Sequence, residues 1–144
     1  KIDASDNDGN AATQKSVTFK IDTVPPTLSV TAPVNGLITN KAACTVAGTT
    51  NDITSSPVTV TVKLNSGSAE AVTVGADGSF SKALTLASGS NTITVVATDS
   101  AGKSTTVTRT VTLDTVAPTI KAVTLTPNPV DAGKTYVISV EVTD

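Results

Sequence analysis

Catalysis needs a nucleophile with a base, a pair of acids or a metal. Few residues in this chain can supply them. Its 144 residues include no histidine and one cysteine, Cys44. Zinc and haem sites draw on His and Cys clusters, which are missing. Serine and threonine are abundant, but none stands in a G-x-S-x-G elbow. Enzymatic activity is therefore not expected. The remaining candidates are carboxylates. Asp3, Asp6 and Asp8 crowd a stretch that ends in Gly9-Asn10, and Asp22, Asp52, Asp99, Asp114 and Asp144 follow at wide spacing. The first run does not make an EF-hand. With Asp6 and Asp8 at loop positions 3 and 5, position 1 is Ala4 and position 12 is Lys15. Aspartates also terminate strands and cap turns through local backbone hydrogen bonds, so two uses compete: turn chemistry, or a hard cation held by oxygen. Cys44 has no intrachain partner and only Lys41 close in sequence, so it reads as a small buried hydrophobe rather than an activated thiol.

The elements that position these residues follow from composition and patterning. Thr and Val dominate, and β-branched side chains fit a pleated surface better than a helix. Net charge is −2 and aromatics make up 2% of the chain, which leaves neither a basic patch nor stacking platforms for nucleic acid. No apolar run is long enough to span a membrane as a helix.

The strongest signal is self-similarity. Residues 96–119 (VATDSAGKSTTVTRTVTLDTVAPT) repeat residues 3–27 (DASDNDGNAATQKSVTFKIDTVPPT) with one single-residue gap. Asp99 aligns with Asp6, Gly102 with Gly9, Asp114 with Asp22 and Pro118 with Pro26. The repeat divides the chain into the last two strands of one module (1–23), a complete module (24–115) and the first two strands of a third (116–144). Such flanks fit a window on a longer chain. Within 24–115, alternation predicts about seven antiparallel strands: one around Leu28 and Val30, then 41–48, 58–64, 71–74, one through Phe80, Leu84 and Leu86, 92–98, and 104–113. Residues 50–57 read as a polar loop. Val58, Val60, Val62, Leu64, Ile93, Val95, Ala97, Val107, Val111 and Leu113 take inward parity, as do Phe19 and Phe80. Arg109 breaks the parity between Val107 and Val111, and is expected near a sheet edge or bulge with its head in solvent.

One-sided alternation requires two sheets packed face to face, and seven short strands in this length are the pattern of an immunoglobulin-like (Ig-like) β-sandwich. The segments NTITVVATD (91–99), Ser100–Ser104 and DTVAPT (114–119) resemble bacterial Ig-like repeats. Those repeats occur in tandem arrays in surface adhesins, S-layer-associated proteins and secreted carbohydrate-active enzymes. The resemblance implies an extracellular, non-catalytic spacer or adhesive segment. Its partners would be neighbouring modules of the same chain and an unidentified surface or host partner. The alternative it implies is an accessory binding module of a carbohydrate-active enzyme. The scarcity of aromatics (Phe19, Phe80 and Tyr136 only) counts against sugar stacking. Lys103 departs from the family pattern, which often has Asn there, as Asn10 does in the first copy.

In such a sandwich the linker from the preceding module arrives at the pole that carries the B–C and F–G loops. Asp22 in the linker, Asp52 in B–C and Asp99 in F–G are therefore expected to converge, and hard oxygen ligands on flexible loops suit Ca²⁺. Asp114 and Asp144 would begin the same arrangement at the next joint. The linkers Val24-Pro25-Pro26-Thr27 and Val116-Ala117-Pro118-Thr119 are short and proline-bearing, hence semi-rigid.

Overall fold

The computed structural model describes residues 4–13, 16–19, 21–52, 54–126, 129 and 131–144. Asp3 and Lys15 lie outside them. The described residues form strands and no helix. In chain order these are β1 (Thr27–Ala32), β2 (Leu37–Thr39), β3 (Ala43–Asn51), β4 (Thr59–Leu64), β5 (Glu70–Val72), β6 (Ser79–Thr85), β7 (Gly89–Thr98), β8 (Ser104–Leu113), β9 (Thr119–Thr126) and β10 (Val137–Thr143). A three-stranded sheet, β1-β3-β6, faces a five-stranded sheet, β2-β8-β7-β4-β5. This is an all-β, Ig-like sandwich.

The core sits where the two alternating faces meet. β7 lies between β8 and β4 and sends Ile93, Val95 and Ala97 inward, each fully buried. Val60 and Val62 of β4 and Val111 of β8 flank them. Val30, Val46 and Phe80 cover them from the other sheet. These are the inward parities of the sequence. Branched side chains lose little on entering a strand and gain apolar burial at roughly 25 cal/mol per Å².

Three details depart from expectation. First, β2 was not foreseen, and it runs parallel to β8, with Leu37 opposite Val111 and Thr39 opposite Leu113. Three residues after a turn carry little periodicity. What holds them is Asn35 Oδ1, which accepts the Thr110 amide at 2.9 Å, together with the Gly36 amide, which donates to the Thr110 carbonyl at 2.8 Å. Second, β3 runs on to Asn51, past the point where a polar loop was expected. Thr49, Thr50 and Asn51 look polar, but they pair with Ser29, Leu28 and Thr27 of β1.

Third, Arg109 does not place its head in solvent. It stands on β8 just short of the β2 pairing and in regular register with Ile93, so the edge was anticipated but no bulge occurs there. The bulge is in β1, between Val30 and Ala32. Arg109 Nη2 donates to the Val30 carbonyl at 3.0 Å, across the sandwich, while its Nε is buried without a partner among the described residues. Arg109→Met is expected to cost about 1 kcal/mol in urea unfolding. That is less than the ~1.5–3 kcal/mol of a hydrogen bond to a charged group, because the unpartnered Nε disappears with it. An unchanged midpoint would mean that the Val30 contact contributes nothing.

Outside the sandwich, β9 and β10 form an antiparallel pair of their own. Val140 faces Val123 and Ile138 faces Leu125. Past a bulge at Glu141/Val142, Val142 faces Ile120. One face of this hairpin is thus apolar along its whole length, and all six of these side chains are exposed. At the other end of the chain, Ser5 bridges Ala11 across a tight turn. Residues 16–19, 21 and 22 form no strand, and Phe19, placed on inward parity by the sequence, is 77% exposed. An isolated two-stranded segment has no second sheet to bury its apolar face.

Candidate metal centre

Three turns build the pole at which the chain enters the sandwich. Asp22 Oδ1 accepts the Val24 amide at 2.9 Å, which fixes the start of the proline linker. Asp52 follows β3 directly, and its Oδ1 accepts the Thr54 amide at 2.7 Å and the Ser55 amide at 2.9 Å. Asp99 follows β7, and its Oδ1 accepts the amides of Ala101 and Lys103, both at 2.8 Å. Cross-links join the turns: the Ser100 amide donates to the Ser55 carbonyl at 3.1 Å, and the Thr105 hydroxyl donates to the Pro26 carbonyl.

The topology brings Asp22, Asp52 and Asp99 together. One carboxylate oxygen from each lies within 4.8 Å of the others. The hydroxyl of Thr54 stands 2.7 Å from Asp22 Oδ2 and 2.8 Å from Asp52 Oδ1. A hydroxyl has one proton, so it serves one of these anions at a time. The Ser55 hydroxyl, the Val24 amide and Thr54 hold the Asp22 carboxyl below the usual carboxylate range. The Ser55 amide, with the hydroxyl and amide of Thr54, does the same for Asp52, against the upward push of the like charge on Asp22. Both are therefore anionic at neutral pH.

Asp99 differs. It is 6% exposed, and its Oδ2 is buried with no hydrogen-bond partner among the described residues. The turn amides occupy Oδ1, which leaves Oδ2 as the carboxylate oxygen without a hydrogen bond among the described residues. A buried, unpaired carboxylate oxygen is costly, and a cation would satisfy it. Oxygens sharing one Ca²⁺ at about 2.4 Å sit no more than about 4.8 Å apart, a bound the three meet. The donors are all hard oxygens, which suits Ca²⁺ and offers Zn²⁺ none of its nitrogen or sulfur ligands.

Asp114 and Asp144 repeat part of this arrangement. Asp114 Oδ1 accepts the Val116 amide at 2.9 Å, as Asp22 does for Val24. Thr119 pairs with Thr143 as Thr27 pairs with Asn51, so Asp144 follows β10 just as Asp52 follows β3.

The other groups singled out in the sequence lie elsewhere. Burial raises the Cys44 thiol above its usual value, which keeps it protonated and inert. Away from the cluster, Lys82 of β6 also pairs with Glu70 of β5 at 2.6 Å. Sequence reading passed over Thr54 and Ser55, whose role depends on the loop's closed shape. No helix among the described residues is long and apolar enough to cross a membrane.

The three-stranded and five-stranded sheets, packed face to face, define an immunoglobulin-like module. The chain belongs to the family described as Glucodextranase, domain B, whose model matches residues 26–115. Bacillopeptidase F of Bacillus subtilis (strain 168) is 37% identical over 103 residues, covering 72% of this chain and 7% of that protein. The chain thus spans a small part of this relative's length. Among solved structures, the fibronectin(III)-like modules of Clostridium thermocellum CbhA share 18% identity at a TM-score of 0.48, over 75% of this chain and 57% of theirs. An engineered protein shares 22% identity at a TM-score of 0.47, over 60% of this chain and 20% of its own.

Proposed function

We propose that this chain is a non-catalytic spacer segment of an extracellular bacterial multi-module protein, and that Ca²⁺ held by Asp22, Asp52 and Asp99 stiffens the joint at which the module is entered. In this reading residues 1–23 close a preceding module, 24–115 form a complete one, and 116–144 open the next, with Asp114 and Asp144 waiting for a third carboxylate. The array projects a binding region or builds a surface assembly. The observation that carries the reading is the buried, unpartnered Asp99 Oδ2 beside two carboxylates, one of which belongs to the linker itself. A cation bridging linker and loops would restrict the swing of one module on the next, adding to the constraint of Pro25 and Pro26.

The test is thermal melting in excess chelator and then in millimolar Ca²⁺. Selective binding to the folded state adds RT ln(1 + [L]/Kd), about 2.7 kcal/mol at a hundredfold excess over Kd. The expected result is a clear rise in Tm that Asp99→Ala abolishes. Superimposable melts would return the three aspartates to ordinary turn chemistry.

A second reading, an accessory module of a secreted carbohydrate-active enzyme, draws support from the family's description. Phe80 is buried, and only Phe19 and Tyr136 offer exposed rings. Sugar retention on a glycan array by residues 24–115 would favour this reading over the spacer.

A further inference from the structure

The N-terminal turn and the Asp99 turn repeat each other bond for bond in the backbone. Asp6 Oδ1 accepts the amides of Asp8 and Asn10 at 3.0 and 2.9 Å, the Gly9 amide donates to the Asp6 carbonyl at 3.1 Å, and the Asp6 amide donates to the Asn10 carbonyl at 3.0 Å. In the second turn Asp99 Oδ1 takes the amides of Ala101 and Lys103. The Gly102 amide meets the Asp99 carbonyl at 3.2 Å, and the Asp99 amide meets the Lys103 carbonyl at 3.0 Å. Gly9 and Gly102 both sit at positive φ, 86° and 81°, which glycine adopts without strain.

The second carboxylate oxygen separates the two turns. Asp6 Oδ2 accepts the side-chain amide of Asn10 at 2.9 Å. Asp99 Oδ2 has no donor among the described residues. The residue four places on is Lys103, whose single ammonium lies at the end of a flexible stem where Asn10 has a short, rigid amide. The contrast runs against burial, because the exposed Asp6 is fully partnered while the 6%-exposed Asp99 is not. Water can replace Asn10 at the exposed turn, but not a missing partner at the buried one.

We infer that the residue four places after the turn aspartate sets how well this turn takes a divalent cation: Asn10 ties up the second carboxylate oxygen of the first turn, and Lys103 leaves that of Asp99 open as a ligand. The inference rests on the calcium reading of the joint. An amide proton on Oδ2 takes one of that oxygen's two lone pairs and draws off negative charge, so it weakens the oxygen as a ligand. Lys103 also places a positive charge near Asp22. Charge and closure therefore predict opposite outcomes for an asparagine at this position. Loss of the charge alone tightens cation binding, whereas closure weakens it.

The experiment is calorimetric titration of the whole chain with CaCl₂, comparing wild type, Lys103→Ala and Lys103→Asn, with melts of all three in chelator. Both variants remove the charge, and only Lys103→Asn supplies the amide. The expected result is that Lys103→Ala binds Ca²⁺ at least as tightly as wild type, that Lys103→Asn binds about tenfold more weakly than Lys103→Ala, and that Lys103→Asn melts higher in chelator because Oδ2 has gained its hydrogen bond. Equal affinities and equal chelator melts for the two variants would overturn the inference. If neither wild type nor Lys103→Ala binds Ca²⁺, the joint reading fails by itself, and the chelator melts still decide whether position 103 closes the turn.

Discussion

Gly48→Ala is expected to cost the sandwich about 3 kcal/mol, at the upper end of the penalty for overpacking a core. Gly48 lies in β3, with Val30 of β1 as its partner on one side and Phe80 of β6 on the other. The Phe80 ring lies over the place where a side chain would stand. A β-carbon there would come within 2.7 Å of Phe80 Cζ and would collide with the Ser29 carbonyl. The ring can turn aside at the expense of its packing, but the carbonyl belongs to a strand backbone held on its far side by Arg109 and across the ladder by β3. Phe80 fills space that the glycine leaves open, a known way of offsetting glycine's weakness in a strand. Denaturant midpoints should fall without a change in slope. The double variant Gly48→Ala/Phe80→Leu should recover only the part of the loss due to the ring. Full recovery would show that the Ser29 contact yields freely, and a loss under about 0.5 kcal/mol would overturn the account.

Asn91→Ala is expected to cost nearly as much, roughly 3 kcal/mol, although it removes no apolar surface. Asn91 is completely buried at the start of β7. Its Oδ1 accepts the Ala87 amide at 2.9 Å and Asn65 Nδ2 at 3.1 Å, and its Nδ2 donates to the carbonyls of Ala87 (2.7 Å) and Gly89 (2.9 Å). Asn65 in turn holds the Thr92 amide through its Oδ1 at 2.7 Å. One side chain therefore closes the connection from β6 to β7 and ties it to the end of β4. Truncation strands several buried backbone groups at about 1–3 kcal/mol each before relaxation. Asn91→Asp sharpens the test. A carboxylate only accepts hydrogen bonds, so it would face two carbonyls with no donor. Its folded-state pKa would be raised above the unfolded value, so the variant should regain stability as the pH falls and the acid protonates. A pH-independent deficit relative to wild type would argue that the network is incidental.

The strands were legible where one face is buried and the other wet. β4 and β7 alternate without a break, so parity alone placed Val60, Val62, Ile93, Val95 and Ala97 in the core. The convergence of Asp22, Asp52 and Asp99 was legible for a different reason. It follows from which loops share a pole, which strand order decides without any knowledge of side-chain geometry. What escaped depends on tertiary partners. β2 is a strand only because β8 is there to receive it. The end of β3 is polar in composition but anchored by the Thr50 hydroxyl, which donates to the Thr27 carbonyl at 2.6 Å. Arg109 reaches a carbonyl exposed by a bulge in another strand. Asn91 stood just outside the predicted strand 92–98 with no role assigned, since a fully satisfied buried amide leaves no trace in periodicity. The difference between Asn10 and Lys103 was visible in the sequence, but its meaning was not, because it lies in one oxygen of a neighbouring side chain.

The parallel pairing of β2 with β8 has a mechanical consequence. If the chain serves as the spacer proposed above, it is pulled by its two ends. Tension entering near Thr27 draws the β1–β2 segment towards the N-terminus, and tension leaving at Leu113 draws β8 towards the C-terminus. Because β2 and β8 run in the same direction, these pulls slide one strand along the other instead of peeling them apart. The ladder from Leu37–Val111 to Thr39–Leu113 is then strained all at once. So are the bonds at its two ends, Gly36 to Thr110 at 2.8 Å and Asp114 to Thr39 at 2.9 Å. Resistance to force is governed by the rate of unfolding rather than by equilibrium stability. In a spacer, this three-residue strand would then set how hard the module must be pulled before it opens.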